Sequence, residues 1–533
     1  MTSNAGPTEA HEHGSEPSTS MDQPQLLYIN GQYQPSSDGD TFPVNNSMTG
    51  QRIYDCASAS VDDYSLAIET AHDAYQSWSK TGPTVRRMVF LKAADILESY
   101  LHRDAGEVMS QEISAPDYWV KINIHSTAGT LREVAGLATQ IRGEVIPTDR
   151  PGTTAFMERQ PVGVVFGIAP WNAPVSDAKR APQLAILCKA LTNSQQVNLT
   201  ARAVACPLIC GNTVVLKPSE FSPKSQHLVV RALTAAGLPP GCLNFVPTSP
   251  ERAPNVTEFA VKHPKVLRVN FTGSDRVGRI IGGWAAECVK QCILELGGKA
   301  PVIVLDDANI DEAVEAVVFG ALSYSGQVCM STERVLLHRS ISEEFKEKLL
   351  AKIATVKTGN HLEDPGVSLS GLFTPASAQR VIDLVKSAVQ GGAELLAGDL
   401  GITGPNKTVV KPHVLDGVKG DMDIAKKESF GPIIILSKFD TDEEAVALAN
   451  DSEFSLCASV FSVDVVRALD IARQVRAGAC HINGPTVYVE ATLPQGGTGG
   501  SSGYGRFGGM PGIEAFTERK IVTLATSKLR YAF

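Results

Sequence analysis

Two glycine-flanked segments carry the side chains best suited to covalent chemistry. Cys329 ends Gly326-Gln327-Val328-Cys329, and Glu295, 34 positions earlier, begins Glu295-Leu296-Gly297-Gly298-Lys299. A cysteine thiolate is a strong nucleophile, and a carboxylate on a flexible turn can activate a water molecule. Because a single cysteine is more often a buried small side chain than a nucleophile, this pair is a hypothesis that needs support from other segments.

The composition describes a large globular chain with an acidic charge balance. The chain has 533 residues, of which 43% are hydrophobic and 20% are charged, and its formal net charge is −9. A chain of this length is expected to form two or three domains. The acidic balance, with no basic stripe carrying aromatic side chains, argues against nucleic acid or an anionic membrane surface as the main partner.

Targeting and redox signals favour a cytoplasmic protein. Residues 1–25 are polar and lack the apolar core of a signal peptide and the arginine-rich character of a transit peptide, so we expect a disordered tail there. No run of about 18 apolar residues occurs, and no membrane span is expected. Ten cysteines are scattered without a Cys-x-x-Cys pair, which indicates a reducing compartment and no metal site.

The hydrophobic pattern changes along the chain from helices to alternating strands and helices. Helices are predicted from residue 61, at 85–101 and at 127–142, and Asn30-Gly31 predicts a hairpin turn. Farther on, apolar runs that suit strands covered on both faces recur at 162–168, 212–217, 242–246, 266–271 and 301–305. This alternation predicts an α/β fold with parallel, doubly wound sheets.

Two loops at predicted strand ends carry groups that suit a dinucleotide. Gly273 and Ser274 follow the fourth of these strands and precede a helix, where backbone amides and the helix dipole can hold a pyrophosphate. Lys217 ends the second strand and Glu220 follows it, and a carboxylate in that position can accept hydrogen bonds from ribose hydroxyls. Taken singly, the first loop also fits a plain tight turn, and the two charges also fit a solvated surface.

A tryptophan and an asparagine lie between two prolines in Ala169-Pro170-Trp171-Asn172-Ala173-Pro174, after the first of these strands. A tryptophan beside prolines is usually structural. An amide side chain held between prolines can also donate a hydrogen bond to a developing oxyanion. Asn172 is therefore a candidate partner of Cys329.

Six segments, in this order, resemble the aldehyde dehydrogenase superfamily. They are Pro170-Trp171-Asn172, Phe271-Thr272-Gly273-Ser274, Glu295-Leu296-Gly297-Gly298-Lys299, Gly326-Gln327-Val328-Cys329, Glu428-Ser429-Phe430-Gly431-Pro432 and Asn483-Gly484-Pro485-Thr486. The resemblance extends from about residue 26 to the C-terminus. Residues 169–174 and 503–509 are most similar to the salicylaldehyde and vanillin dehydrogenase branch, which acts on aromatic aldehydes.

The resemblance implies a covalent mechanism. Cys329 would attack the aldehyde to form a thiohemiacetal, and oxidation would leave a thioester. The side chain of Asn172 and the backbone amide of Cys329 would stabilise the oxyanion. Glu295 would activate the water molecule that hydrolyses the thioester.

The resemblance also implies a nicotinamide cofactor. The cofactor-binding residues that it implies are Trp171, Lys217, Glu220, Gly273, Ser274, Glu428 and Phe430. Lys217 and Glu220 would hold the adenosine ribose, Ser274 the pyrophosphate, and Glu428 with Phe430 the nicotinamide ribose. Because the Glu220 carboxylate would repel a ribose phosphate, NAD is expected, with NADP possible.

The domain organisation implied by the resemblance has three parts. Residues 26–143 and 161–296 would form a Rossmann-like cofactor-binding domain, and residues 297–513 an α/β catalytic domain. Residues 144–160 and 514–533 would pair as a β oligomerisation arm, so a homodimer or homotetramer is expected.

One segment departs from the family pattern. Removing residues 175–196, between Asn172 and Lys217, restores the spacing that the family shows. We hypothesise that this segment is a translated, unspliced intron, because its first codons can read GTGAGT, residues 191–193 can end in CTAAC and residues 195–196 can end in CAG. A genuine surface loop is the alternative.

The expected activity is the NAD(P)-dependent oxidation of an aldehyde, expected to be aromatic, to a carboxylic acid. Oxidation of a semialdehyde or of betaine aldehyde is the alternative within the family. The other alternative is a catalytically impaired chain, because residues 175–196 interrupt the segment that follows Asn172. A displacement of about 1 Å in an active site can cost about a hundredfold in rate.

Overall fold

The computed structural model describes residues 21–100, 105–173 and 199–526. The segment 175–196 and the first 20 residues of the predicted tail therefore lie outside the described residues. The prediction of a disordered tail over residues 1–25 is wrong at its end. Gln25 is buried, its backbone N–H donates to Asp55 O at 2.9 Å, and it forms a β-bridge with Cys56.

Twenty strands lie within the described residues. In chain order they are β1 (Leu27–Ile29), β2 (Gln32–Gln34), β3 (Thr41–Asn45), β4 (Arg52–Ala57), β5 (Glu144–Ile146), β6 (Thr153–Pro161), β7 (Val164–Ile168), β8 (Thr213–Lys217), β9 (Leu243–Phe245), β10 (Val266–Thr272), β11 (Gln291–Glu295), β12 (Ala300–Val304), β13 (Thr332–His338), β14 (Glu394–Ala397), β15 (His413–Asp416), β16 (Ile433–Phe439), β17 (Cys457–Phe461), β18 (Ala479–Ile482), β19 (Gly503–Tyr504) and β20 (Thr517–Ala525).

Fifteen α-helices lie within the same residues. In chain order they are α1 (Val61–Trp78), α2 (Pro83–Tyr100), α3 (Ala105–Ile113), α4 (Asp117–Leu137), α5 (Leu199–Ile209), α6 (Pro223–Ala235), α7 (Ala253–Lys262), α8 (Asp275–Glu287), α9 (Ile310–Leu322), α10 (Ser342–Ala354), α11 (Pro375–Gln390), α12 (Asp423–Lys426), α13 (Asp442–Asn450), α14 (Val465–Gln474) and α15 (Gly509–Ala515). The helix predicted at 127–142 begins earlier, since α4 starts directly after Pro116.

The first sheet has eight strands in the order β19-β11-β10-β7-β8-β9-β1-β2. Its five central strands, β11 to β9 in that order, are parallel, and β7 and β8 are buried at every residue, as the apolar runs predict. Val165 and Val214 pack in the hydrophobic cluster on one face, whereas Val164 and Val215 pack in the cluster on the other. Helices therefore cover both faces, as in a doubly wound sheet.

The register of the first sheet aligns the strand ends that carry predicted site residues. Ile168 of β7 is level with Lys217 of β8 on one side and with Phe271 of β10 on the other. Thr272 is level with Glu295 of β11. Because these strands are parallel, their carboxyl ends form one edge, which is where ligands bind in open α/β sheets.

The second sheet has seven strands in the order β14-β15-β16-β13-β12-β17-β18. All neighbours are parallel except β14 and β15. One strand crosses the predicted domain boundary at residue 297: β19 comes from the range that we assigned to the catalytic domain, yet it pairs with β11 at the edge of the first sheet. The glycine-rich segment around residue 503 carries no strand pattern that would have predicted this.

A third sheet has the order β20-β6-β5, so strands from the two segments that were predicted to form an arm pair with each other. β20 and β6 pair along their whole length, from Thr517 opposite Pro161 to Ala525 opposite Thr153. The arm carries exposed apolar side chains, of which Val145 is the most exposed at 67%.

Glu112, a buried carboxylate, ties α3 to the start of α6. It accepts hydrogen bonds from the backbone N–H groups of Lys224 at 3.1 Å and Ser225 at 3.0 Å, and from the Tyr54 hydroxyl. A negative charge beside the unpaired N–H groups of a helix start is favourable. The contact fixes the helix that follows the Lys217–Glu220 loop.

Candidate active site

The backbone ahead of Cys329 adopts a strained turn. Tyr324, Ser325 and Gly326 have φ values of 50°, 58° and 75°, which place three consecutive residues in the left-handed region. Such conformations cost about 1–3 kcal/mol at each non-glycine residue and concentrate at functional sites. A Cβ on Gly326 would also collide with the carbonyl of Gly431, so the glycine in this segment is required by space as well as by conformation.

Aromatic packing holds this turn in place. The rings of Tyr324 and Trp119 stack with centroids 5.0 Å apart and planes at 5°. The backbone N–H of Tyr324 donates to the Tyr118 hydroxyl at 2.7 Å, and the Tyr324 hydroxyl donates to Ile113 O. The strained conformation is therefore supported from the side of α3 and α4.

Cys329 and Glu295 meet as the sequence predicts. Cys329 Sγ lies 3.7 Å from Glu295 Oε1, at the end of β11. Burial raises the pKa of the Cys329 thiol well above its usual range, and the charges of Glu295 and then Glu428 raise it further. The thiol is therefore protonated at neutral pH, and the Glu295 carboxylate is placed to accept its proton. A Cβ on Gly298 would collide with the carbonyl of Cys329, which explains the second glycine after Glu295.

Arg202 is a functional neighbour that sequence reasoning missed. Its Nη1 lies 2.5 Å from Glu295 Oε2, and both side chains are buried. Because Oε2 is occupied by Arg202, the other oxygen of Glu295 is turned towards the thiol. The only signal in the sequence is a single charge within the otherwise apolar α5, between Leu199 and Ile209.

Asn172 is fixed beside the cysteine loop. Its Nδ2 donates to Gln327 O at 2.8 Å, while the backbone carbonyl of Asn172 accepts from Trp119 Nε1 at 3.1 Å. Gln327 in turn accepts the N–H of Phe373 at 2.9 Å. A primary amide carries two N–H donors, so the bond to Gln327 does not exhaust the donors of Asn172.

Three aromatic rings form one wall of the site. Trp171 stacks on Phe373, with centroids 4.0 Å apart and planes at 26°, and meets Phe430 edge to face at 6.0 Å. Phe430 has a φ of 49°, another left-handed residue at the site. Phe373 was not predicted, because nothing in its local sequence points to the site.

The loop after β10 caps α8. Ser274 Oγ accepts the N–H of Val277 at 3.5 Å, and the N–H of Gly273 donates to Glu295 O at 3.0 Å. The start of α8 therefore lies next to the end of β11, and its first N–H groups are directed as an anion site requires.

Glu428 faces the same space from the second sheet. Its Oε1 accepts the N–H of Gly298 at 2.8 Å, and a Cβ on Gly297 would lie 2.8 Å from Oε2. Burial, and next the charge of Glu333, raise the pKa of Glu428 to about 8.

Lys217 and Glu220 lie at the same sheet edge but apart from the catalytic groups. The buried Lys217 Nζ is 3.5 Å from Pro218 O, and burial lowers its pKa. Glu220 is partly exposed, and its carboxylate lies 3.5 Å from Ser219 Oγ.

One cavity of about 1060 Å³ joins most of the predicted site. Its lining includes Cys329, Asn172, Trp171, Gly273, Ser274, Glu428 and Phe430, but not Glu295, Lys217 or Glu220. Its walls combine a helix start for a diphosphate, an acceptor carboxylate and an apolar end near the thiol. A dinucleotide fits this donor and acceptor set.

The described residues form neither a metal-binding cluster nor a helix that could span a membrane. No group of three His, Cys, Asp or Glu side chains in these residues is placed to hold a metal ion. None of the helices in the described ranges combines the length and the apolarity needed to traverse a bilayer.

The chain is similar to known proteins over nearly its whole length. The sequence profile of the aldehyde dehydrogenase family matches residues 33–196 and 195–522. A vanillin dehydrogenase of Pseudomonas sp. (strain HR199 / DSM 7063) is 43% identical over 505 residues, 95% of this chain and 98% of the relative. The crystal structure of a salicylaldehyde dehydrogenase from Pseudomonas putida G7 complexed with salicylaldehyde superposes with a TM-score of 0.89 at 39% identity, over 96% of this chain and 100% of that one. The NAD-dependent aldehyde dehydrogenase from Sinorhizobium meliloti superposes with a TM-score of 0.87 at 30% identity, over 97% and 98%.

Proposed function

Because the chain belongs to the aldehyde dehydrogenase family, we propose that it uses NAD to oxidise an aromatic aldehyde to a carboxylic acid. The chain is an oxidoreductase acting on aldehydes. Support for an aromatic substrate comes from the vanillin dehydrogenase and from the salicylaldehyde complex described above. Support for NAD comes from the NAD-dependent neighbour and from the partly exposed carboxylate of Glu220 at the sheet edge.

The observation that carries the proposal is the distance of 3.7 Å between Cys329 Sγ and Glu295 Oε1, beside a cavity that can hold a dinucleotide. A nucleophile whose base is held by a third group is the arrangement that covalent catalysis requires. Here Arg202 is the third group, since it binds the far oxygen of Glu295.

In the first half of the reaction, Cys329 forms a bond to the aldehyde carbon. The thiol proton passes to Glu295, and the carbonyl oxygen takes the negative charge. The Asn172 side chain and the Cys329 backbone amide donate hydrogen bonds to this oxygen, which lowers the barrier most when they are already in place. Bound NAD would supply the acceptor for the hydride of the aldehyde carbon, and Cys329 would then carry the acyl group as a thioester.

In the second half, water hydrolyses this thioester. Glu295 first releases the thiol proton to solvent and becomes a carboxylate again. It then takes a proton from the water, the hydroxyl adds to the acyl carbon, the bond to sulfur breaks, and Glu295 returns this proton to the sulfur. The acid leaves, and Cys329 regains its proton. Arg202 prevents the Glu295 carboxylate from turning away between the two halves, because it holds Oε2 inside the protein.

We assign the cofactor contacts as the family resemblance implies. Gly273 and Ser274 would bind the pyrophosphate at the start of α8, and Glu428 with Phe430 the nicotinamide ribose. Lys217 and Glu220 would bind the adenosine ribose at the aligned strand ends, and Trp171 would complete the same wall of the cavity. NADP remains the alternative cofactor.

The arm supports a proposal about assembly. Val145, Ile521 and Leu524 are exposed on it at 67%, 54% and 53%, and exposed apolar side chains of this kind are typical of interfaces. We propose a homodimer or homotetramer in the cytoplasm. Light scattering of the wild type and of Val145→Asp tests the assembly, and cell fractionation tests the location.

The activity is tested by NADH formation with a panel of aromatic aldehydes, semialdehydes and betaine aldehyde. Benzaldehyde derivatives should give the highest kcat/KM. Cys329→Ser should abolish NADH formation with every aldehyde while leaving NADH binding intact. Full activity of Cys329→Ser would contradict the covalent mechanism, and a preference for betaine aldehyde or a semialdehyde would contradict the proposed substrate class.

A further inference from the structure

A fully buried ion pair lies behind the cofactor end of the cavity. Lys299 Nζ donates to a carboxylate oxygen of Glu333, and the side chains are 0% and 3% exposed. Lys299 ends the turn that begins at Glu295, and Glu333 lies on β13, four residues after Cys329. Burying two charges is expensive, and apolar residues of similar volume often replace such a pair without loss of stability. The pair therefore calls for an explanation other than stability.

Besides its ion pair with Lys299, Glu333 accepts hydrogen bonds from backbone N–H groups. Both of its carboxylate oxygens lie 3.0 Å from the backbone N of Ser429, and Oε1 is 3.4 Å from the backbone N of Phe430. These amides belong to the segment that carries Glu428 and Phe430. Hydrogen bonds to an ionised acceptor are the stronger ones, so the carboxylate holds this segment from the inside.

The segment that carries Glu428 and Phe430 is also hydrogen-bonded to the Gly297–Lys299 turn. Gly298 N–H donates to Glu428 Oε1 at 2.8 Å, one residue before Lys299. Lys299, Glu333, Ser429, Glu428 and Gly298 thus close a ring of bonds between the two segments. Neither segment can shift towards or away from the cavity without breaking a bond to a buried charge.

The conformation of Phe430 shows why such a hold is needed. Its φ of 49° costs about 1–3 kcal/mol in a residue with a side chain. That conformation turns the ring towards Trp171, 6.0 Å away, at the wall of the cavity. Arg380, an exposed residue that also lines the cavity, donates to Glu428 O at 3.1 Å and to Ser429 O at 2.7 Å. The carbonyls of the segment are therefore held by an exposed arginine and its amides by the buried Glu333.

We infer that Glu333 is a positioning residue for the nicotinamide end of the cofactor. Its carboxylate, with the charge balanced by Lys299, holds the amides of Ser429 and Phe430 so that Glu428 and Phe430 face the cavity. The inference rests on the proposed function, because it assumes that a nicotinamide dinucleotide occupies this space. It assigns Glu333 no contact with substrate or cofactor.

The experiment compares the Glu333→Gln, Lys299→Met and double Lys299→Met/Glu333→Leu variants with the wild type. Each is measured for its melting temperature, for its Kd for NADH by fluorescence titration and for the KM for NAD against kcat. Alkylation of Cys329 by iodoacetamide serves as the control for an intact catalytic loop. The double variant removes both charges together, so it guards against a single variant that fails to fold.

In these variants, the affinity for NADH should not follow the melting temperature. The double variant should recover part of the melting temperature that Lys299→Met loses, because it leaves no unpaired buried charge, although the amides of Ser429 and Phe430 still lack their acceptor. Its Kd for NADH should be at least about tenfold higher than that of the wild type, because the amides of Ser429 and Phe430 have lost their charged acceptor. Glu333→Gln should raise the KM for NAD by about tenfold with a smaller change in kcat and an unchanged alkylation rate.

Two results would overturn the inference. One is a double variant that recovers both the melting temperature and the Kd for NADH, which would make the pair purely structural. The other is a Glu333→Gln variant that binds NADH as the wild type does. If the wild type itself bound no NADH, the proposed cofactor would fall together with the inference, whereas a wild type that binds NADH isolates the role of Glu333.

Discussion

Cofactor affinity should depend on pH through Glu428. Burial, and next the charge of Glu333, raise the pKa of Glu428 to about 8. An ionised carboxylate accepts hydrogen bonds from ribose hydroxyls more strongly than a protonated one does. NADH should therefore bind preferentially to the ionised form, which is the minority form at neutral pH.

The size of the effect follows from the ionised fraction of Glu428. With a pKa of about 8, about a tenth of these carboxyls is ionised at about pH 7 and about a hundredth at about pH 6. The apparent Kd varies inversely with the fraction of protein that is competent to bind. The Kd for NADH should thus be about tenfold higher at about pH 6 than at about pH 7, and it should become constant above about pH 9.

Fluorescence titration with NADH across this pH range measures the effect. Glu428→Gln carries a neutral amide of nearly the same size, so its Kd should be weaker than the high-pH value of the wild type and should not vary with pH. A wild-type Kd that is constant over the range would refute the reasoning. A Glu428→Gln variant whose Kd follows the wild-type curve would refute it as well, because the titrating group would then lie elsewhere.

Three further predictions concern turnover and stability. Arg202→Met leaves the buried Glu295 carboxylate without its counter-charge, so thioester hydrolysis should slow, giving a rapid burst of NADH before a slow steady state, and stability should fall by about 3–5 kcal/mol. Burial raises the pKa of Glu112 from its ordinary 4.5 to about 7. The folded state therefore holds this proton more tightly than the unfolded state does. The free energy of unfolding of the wild type should fall by about 3 kcal/mol as the pH rises from about 4.5 to about 7. Glu112→Gln should not show this loss, and denaturation at each pH measures it. Deleting residues 175–196 should raise turnover per Cys329 thiol.

Each of these three predictions has a matched control. Arg202→Lys keeps a charge near Glu295 and should retain part of the steady-state rate, so equal rates in both Arg202 variants and the wild type would contradict the role of Arg202. Equal pH slopes of stability in the wild type and in Glu112→Gln would exclude Glu112 as the titrating group. Equal turnover with and without residues 175–196 would favour a genuine loop, and transcript sequencing across these codons tests the intron hypothesis directly.

Local features of the fold could be predicted because their causes are local. The apolar run at 162–168 is β7, and the Asn30-Gly31 turn joins β1 to β2 with Asn30 at a φ of 53°. Ser274 caps α8, as its place between a strand and a helix indicates. In contrast, α4 begins at Asp117 rather than near 127. Its first turns already bury Trp119, Val120 and Ile124 at helical spacing, with Trp119 stacked on Tyr324, so the predicted range began too late.

Some residues of the candidate site could likewise be predicted from the local sequence, and others could not. Cys329, Glu295 and Asn172 stand in short glycine- or proline-flanked segments, and the structure brings them together. Arg202 and Glu333 act through bonds that span 93 and 34 positions, and no local pattern marks their partners. Arg202 is the one charge in α5, whereas Glu333 lies between Thr332 and Arg334, so the two residues share no sequence signal that would have identified them.

The short strand β19 pairs with the strand that ends in the catalytic base. Glu295 pairs with Gly503, and Leu296 N–H donates to Ser502 O at 3.2 Å, so the strand that ends in the base is covered by residues from the last tenth of the chain. Without this strand, β11 would present an unpaired edge to other molecules. The hydrolytic carboxylate is thus sealed on this side by a segment that is distant from it in the chain.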